Sequence, residues 1–205
     1  MSDIIIGYHA TNANNVQSII NGNFRKPQKT IDDSDKKVSE KFYTYWLGAG
    51  IYFFEDIEVA KWWKTKPSST FGENGSYEDK AIIKAMISTS NRTWDLRKVT
   101  TWRKIIKAFD EYMTQIGKHI VNTSNSSNEL KKDLYKKLRC SFFTWFSQSY
   151  NVDVIIVAFN QIEFNYLDKG FYDIGEYMDI FYTEVQYCVY DINCIRQKCV
   201  AKEDA

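Results

Sequence analysis

The segment DIIIGYHA, running from Asp3 to Ala10, decides the fold class of this chain. Its isoleucine run and its tyrosine read as a strand. Asn14 to Asn21 then reads as a helix, with asparagines available as N-caps and Gly22 as the C-terminal stop. A strand that runs straight into a helix delivers His9 to the strand's end. A chain that goes on alternating in this way is mixed α and β.

Outward from that segment, Lys26 to Lys41 (KPQKTIDDSDKKVSEK) is polar, has no periodicity, and reads as a long surface loop able to cover a site. Gly48 and Gly50 flank Ala49 just before the apolar run Ile51, Tyr52, Phe53, Phe54. Asp56 caps a short helix to Lys64 that spaces Ile57, Ala60 and Trp63 at three-residue steps. Thr65 to Asp79, with Pro67, Gly72 and Gly75, reads as a flexible loop, and Ala81 to Ile87 as a strand. Two longer helices are expected over Thr100–Ile116 and Glu129–Ser149, separated by an Asn/Ser-rich turn at Val121–Asn128. Val152 to Phe159 is almost wholly apolar and reads as a central strand. The last strand is expected over Glu184–Asp191.

At 205 residues the chain reads as one domain, 1–205, long enough to bury roughly 70% of its unfolded surface. Its 27 Lys+Arg against 26 Asp+Glu leave a net charge of +1, which excludes an acidic disordered tail and a globally basic nucleic-acid coat. Any partner must therefore be met by local patches. Aromatics at 16% suit a β-rich core with rings left over for stacking on a ligand. No apolar run approaches a membrane span, and Met1-Ser2-Asp3 enters the first strand without a signal peptide, so a soluble, cytoplasmic protein without membrane partners is expected. Cys140, Cys188, Cys194 and Cys199 form no CxxC pair, and His9 and His119 are the only histidines. That is poor material for zinc, and no metal is expected.

No phosphate-binding loop, dinucleotide glycine fingerprint, nucleophile elbow or HExxH is present. What remains is a set of single residues at strand ends. They are His9 in GYHAT, Tyr52 in GAGIYF, and the strand TEVQYCVYD from Thr183 to Asp191.

Together and in this order these segments resemble the ADP-ribosyltransferase superfamily, in its poly(ADP-ribose)-polymerase-like or diphtheria-toxin-like branch, which is defined by His, Tyr and usually Glu. His9-Ala10-Thr11 is similar to that branch's His-Gly-Ser/Thr, with alanine in the middle. The helix closing in Ile19 to Arg25, Gly48 to Phe53 against the family's Gly-Lys-Gly-Ile-Tyr-Phe, and Trp63 eleven residues beyond Tyr52 extend the likeness. It covers roughly the first 60 residues and about ten near the C-terminal end. The fold it implies is α+β, a split mixed β-sheet core with flanking helices.

The resemblance implies NAD+ as co-substrate, no metal, and a catalytic set of His9, Tyr52 and the residue at 186, with Ala10, Thr11, Arg25 and Trp63 joining His9 and Tyr52 in binding. Tyr52 and Trp63 would sandwich the nicotinamide, backbone groups at Ala10 would hold its amide, and His9 would bond the adenine-side ribose with Thr11 nearby. Arg25 would take the diphosphate or adenine side. The other reading of Trp63 is a core residue of its helix.

Gln186 stands where the family usually has its catalytic glutamate. An amide can hold a ribose hydroxyl but lacks the charge that stabilises an oxocarbenium-like transition state. Three explanations are open. Glu184, two residues earlier on the same strand face, supplies the charge; the enzyme is a natural variant that transfers a single ADP-ribose; or Gln186 is an engineered substitution in a disarmed toxic enzyme.

The acceptor must be found by the domain's own surface. Arg92 to Lys107 interleaves basic residues with Trp94 and Trp102, and Lys131, Lys132, Lys136, Lys137 and Arg139 add a second basic strip. Such patches suit RNA or DNA, with a solvated helix face as the plainer reading and protein as the other acceptor. By analogy with small members of the superfamily, the expectation is a bacterial intracellular toxin or anti-phage effector, with an antitoxin among its partners. The competing expectation is a non-catalytic NAD+ or ADP-ribose-binding module.

Overall fold

A computed structural model describes residues 3–22, 24–27, 31–32, 37–38, 45–65, 80–115, 128–160 and 183–202. The opening strand β1 spans Ile4–Asn12 and runs directly into helix α1, Ala13–Asn21. Asn12 caps α1 by accepting a hydrogen bond from the Asn14 amide at 2.9 Å, and the Gly22 amide closes it on the Ser18 carbonyl. A two-stranded hairpin, β2 (Ile31–Asp32) with β3 (Lys37–Val38), lies within the segment read as a bare loop. Strand β4 (Ile51–Phe54) leads to α2 (Ile57–Thr65), where Asp56 accepts from the Glu58 amide at 2.8 Å as expected.

β5 (Lys80–Ser88) and β6 (Thr93–Asp95) precede α3 (Val99–Gln115) and α4 (Asn128–Ser149), followed by β7 (Val154–Asn160), β8 (Thr183–Val189) and β9 (Ile195–Val200). The loop expected over Thr65–Asp79 and the turn expected over Val121–Asn128 lie almost wholly outside the described residues. β6 and β9 escaped the sequence reading. β6 is only three residues long, and β9 (IRQKCV) carries the charges that edge strands use to discourage further pairing. The Glu184–Asp191 strand is therefore not the last; it ends at Val189, and Asp191 caps a short 3-10 turn through the Asn193 amide.

Seven strands form one mixed sheet in the order β6-β7-β8-β4-β1-β5-β9, parallel only between β6 and β7, and the fold is α+β with helices on both faces. β7 is interior and buried, but sits one strand from the edge instead of at the centre. β1 pairs with β5 along its whole length, from Ile4↔Ser88 to Asn12↔Lys80, yet meets β4 at the single pair Tyr8↔Phe54. The sheet nearly parts there.

Alternation of side chains then assigns the two faces. On one face α1 and Phe24 pack over Phe53, Ile83, Ile87, Val154, Ile156, Tyr187 and Val189. The other face is covered in two pieces: α3 and α4 over β7 and β8, and α2 over β1, β4 and β5. Gln186 belongs to neither apolar cluster and lies between them. No helix among the described residues is long and apolar enough to cross a membrane.

The two glycines before β4 are demanded by close approach. Gly48 has φ +78°, and a Cβ there would lie 2.7 Å from the Thr144 amide nitrogen of α4. At Gly50 it would overlap the buried Cys188 sulfur. Gly48→Ala should therefore lose about 2–4 kcal/mol, from left-handed backbone strain plus overpacking, read as a lower urea midpoint at unchanged slope.

Candidate active site

Where β1 and β4 part, His9 fills the gap. Its Nδ1 donates to the Tyr52 carbonyl at 2.7 Å, which places the ring proton on Nδ1 and leaves Nε2 as an acceptor. The imidazole packs edge-on to Phe24 at 5.0 Å and against Phe53 at 5.6 Å, on the α1 side of the sheet. Burial lowers its pKa from the ordinary 6.5, only partly opposed by the bond to Tyr52. Beyond Tyr8, where Ala10 and Thr11 follow, β1 has no pairing with β4 among the described residues.

Tyr52 points to the opposite face. Its hydroxyl donates to the Gly48 carbonyl at 2.9 Å and accepts from the Leu47 amide at 2.7 Å, so the glycine loop fixes the ring's direction. Burial, and then the neighbouring Cys188 thiol, push its pKa well up and keep the phenol neutral. Tyr45 stacks against the ring, with centroids 6.1 Å apart. The next residue on the same face, Phe54, lies directly across the ladder from Gln186, and Trp63 of α2 stacks on it at 5.8 Å. Trp63 is thus half-buried, backed by Phe54 and packed on the α2 cluster.

Gln186 and Glu184 form a second pair on this face. The Gln186 amide donates to a carboxylate oxygen of Glu184, which is fully buried, while Gln186 keeps 9% exposure. A carboxylate that takes the N–H of an amide leaves the amide oxygen turned away from it. Beside them, Phe159 is the ladder partner of Glu184, Trp46 meets Phe159 edge-on at 4.9 Å, and Arg139 of α4 lies over the Trp46 ring at 4.4 Å. Tyr52, Trp63, Gln186 and Glu184 thus share one face, and His9 touches Tyr52 only through the main chain from the other.

Arg25 is exposed and lines a cavity of about 870 Å³ at the sheet end where β4 begins and β8 finishes, with Lys26, Ala49, Gln148, Tyr190 and Asp191. Lys26 donates to the Tyr190 carbonyl there at 2.8 Å. Arg25's guanidinium has no side-chain partner among the described residues.

The first half of the first basic strip is paired with carboxylates. Arg92 is held by Asp153 at 2.6 Å, and Arg97 forks onto Asp95 at 2.9 and 3.1 Å, lowering that carboxyl's pKa through its hydrogen bonds. Trp94 is half-buried against Phe146, whereas Trp102 is 47% exposed. Asp153, Asp191 and Cys194 bring ligand atoms within 4.8 Å of one another, but Arg92 and Ser90 already hold the Asp153 carboxylate. Arg92 does there what a cation would do. The cysteines are free thiols; three are buried, Cys199 is exposed, and burial pushes Cys188 up to about 12.

Sequence reasoning passed over Trp46 and placed Arg139 only in a basic strip for an acceptor, apart from the NAD+ residues. Comparison with protein-family models, with characterised proteins and with solved structures finds no match to this chain.

Because the folded state holds the His9 proton more weakly than the unfolded chain does, stability is present above pH 6.5 and lost as pH falls below it. Melting temperatures at pH 7.5 and 5 should differ more for the wild-type protein than for His9→Gln. Equal differences would show that His9 does not titrate with unfolding.

Proposed function

We propose that the protein is a mono-ADP-ribosyltransferase that cleaves NAD+ and passes ADP-ribose to a macromolecular acceptor. One observation carries this reading. Tyr52, Trp63 and position 186, singled out by resemblance in separate parts of the chain, meet on one face around Phe54. The parting of β1 from β4 beside His9 supports the split sheet that the resemblance implies. The toxin or anti-phage role implied with it rests on the same activity.

In this reading the nicotinamide lies by Tyr52 and Trp63, and its carboxamide pairs with the open backbone edge at Ala10. The diphosphate side extends to Arg25, with Thr11 beside the cleft. Gln186 and Tyr190 are four strand residues apart, about 13 Å, a span suited to an extended dinucleotide. The Gln186 amide oxygen, whose direction Glu184 sets, accepts a ribose hydroxyl, and His9, on the other side of the parted sheet, reaches the ligand only through the gap between β1 and β4. The bond from ribose C1′ to the nicotinamide nitrogen breaks, its electron pair neutralises the pyridinium, and an acceptor lone pair forms the new bond at C1′ as its proton leaves to solvent. Loss of nicotinamide builds positive charge on the ribose. Glu184 supplies negative potential from behind a neutral amide.

A second reading, a binding module for NAD+ or ADP-ribose, is favoured by one fact: the only carboxylate of the pair is fully buried. Incubation with NAD+ labelled in the adenylate, with nicotinamide release followed in parallel, separates the two. Transfer or release by the wild-type protein, lost at least tenfold in Tyr52→Ala, is expected; tight NAD+ binding without release would support the module.

Gln186→Glu sets two carboxylates side by side, and repulsion raises the pKa of one. The variant's turnover should therefore climb with pH as the second carboxylate ionises, by about tenfold, while the wild-type profile does not show that step. A flat profile in both would remove position 186 from the chemistry.

A further inference from the structure

Arg139 is an unusual arginine. Its Nε is buried without a hydrogen-bond partner, and no ion pair is made by its guanidinium among the described residues. What it has is the indole face of Trp46, 4.4 Å away. Burial lowers its pKa, and the charge stands over the Trp46 ring, beside the Phe159 that pairs with Glu184. A half-buried cation without an anion is costly to the free protein, and an anionic ligand would relieve that cost.

The neighbours narrow the ligand. Trp46 keeps 49% exposure, and its ring bears edge-on on Phe159, the ladder partner of Glu184. An exposed indole joined to an unpaired guanidinium offers stacking for a base and a fork for a phosphate oxygen, the pairing by which single-stranded nucleic acid is held. We propose that Trp46 and Arg139 form the acceptor subsite and that the acceptor is single-stranded nucleic acid. This rests on the transferase reading for its chemistry, although not for its binding. A strand there lies on the flank of the cleft away from Trp63, next to the Glu184/Gln186 pair, and a nucleophile on it can attack C1′ as nicotinamide departs. The stretch before α3, whose Arg92, Arg97 and Lys98 sit against Asp153 and Asp95, plays no part in it.

The test has two arms. In the first, a short fluorescein-labelled oligouridylate is titrated with protein, without NAD+, and followed by anisotropy. Arg139→Ala and Trp46→Ala should each weaken binding roughly tenfold with melting temperature preserved, Arg139→Lys should recover part of it, and Trp102→Ala on α3 should bind as the wild type does. Equal loss in Trp102→Ala, or no loss in the two site variants, overturns the assignment. In the second arm, KM values for NAD+ and for oligonucleotide are measured in Arg139→Ala. A rise confined to the oligonucleotide is expected; a rise for NAD+ alone moves Arg139 to the dinucleotide site, and label entering protein but not RNA or DNA overturns the acceptor class. If the wild-type protein binds oligonucleotide through these residues but releases no nicotinamide, the subsite stands and the transferase reading falls.

Discussion

The hydrogen bond from His9 Nδ1 to the Tyr52 carbonyl closes the point on which the rest of the sheet turns. β1 belongs to β5 and β9, β4 belongs to β8 and β7, and one ladder pair, Tyr8↔Phe54, joins the two groups. A sheet that parts leaves backbone groups without partners, and a buried carbonyl without a partner costs as much as a lost hydrogen bond. The imidazole meets one such carbonyl and fills space with a ring that Phe24 and Phe53 pack against. The remaining open edge is then available to something other than strand.

The same parting explains how the helices are distributed. An unbroken sheet would carry a continuous layer on each face, but here α2 covers one half of the second face and α3 with α4 the other. Between them, polar residues can sit on a central strand without joining either apolar cluster, which is where Gln186 lies. The glycine loop holds the margin of that gap. Tyr52 bonds Leu47 and Gly48 from one strand, and Tyr190 bonds the Leu47 carbonyl from the next. Gly48 lets the loop press against α4 at Thr144.

Much of this was legible because it is local. Asn12, Gly22 and Asp56 declare helix ends through their own side chains or lack of one, and the structure finds them within one residue of the expected bounds. β7 announces itself by apolar residues on both faces. What was illegible depends on distant partners. β9 is half charged and becomes a strand because β5 offers it an edge, and β6 is three residues that β7 recruits. Trp102 and Trp94 carry the same letter, yet one is exposed and the other lies against Phe146. Arg139 looks like one more basic residue in a lysine-rich helix; only its place over Trp46, with no ion pair among the described residues, distinguishes it.

Electrostatics give the glutamine at 186 a physical logic. The Glu184 carboxylate behind it is fully buried, and a second carboxylate within hydrogen-bond reach would face repulsion of about 4 kcal/mol at 4 Å, even at the moderate effective dielectric of protein sites. Two such groups cannot both stay ionised near neutral pH without help. An amide avoids the conflict, because it accepts on one side and donates on the other. It therefore passes the orientation imposed by Glu184 to whatever lies in the cleft. The Glu184 carboxyl lies behind the amide, out of direct contact with a sugar, and Arg139 stands across the Trp46–Phe159 contact. On the proposed transferase reading, the ribosyl cation would lie toward the Glu184 side and the anionic backbone of the acceptor toward Arg139, so the two ligands would meet opposite ends of one cleft.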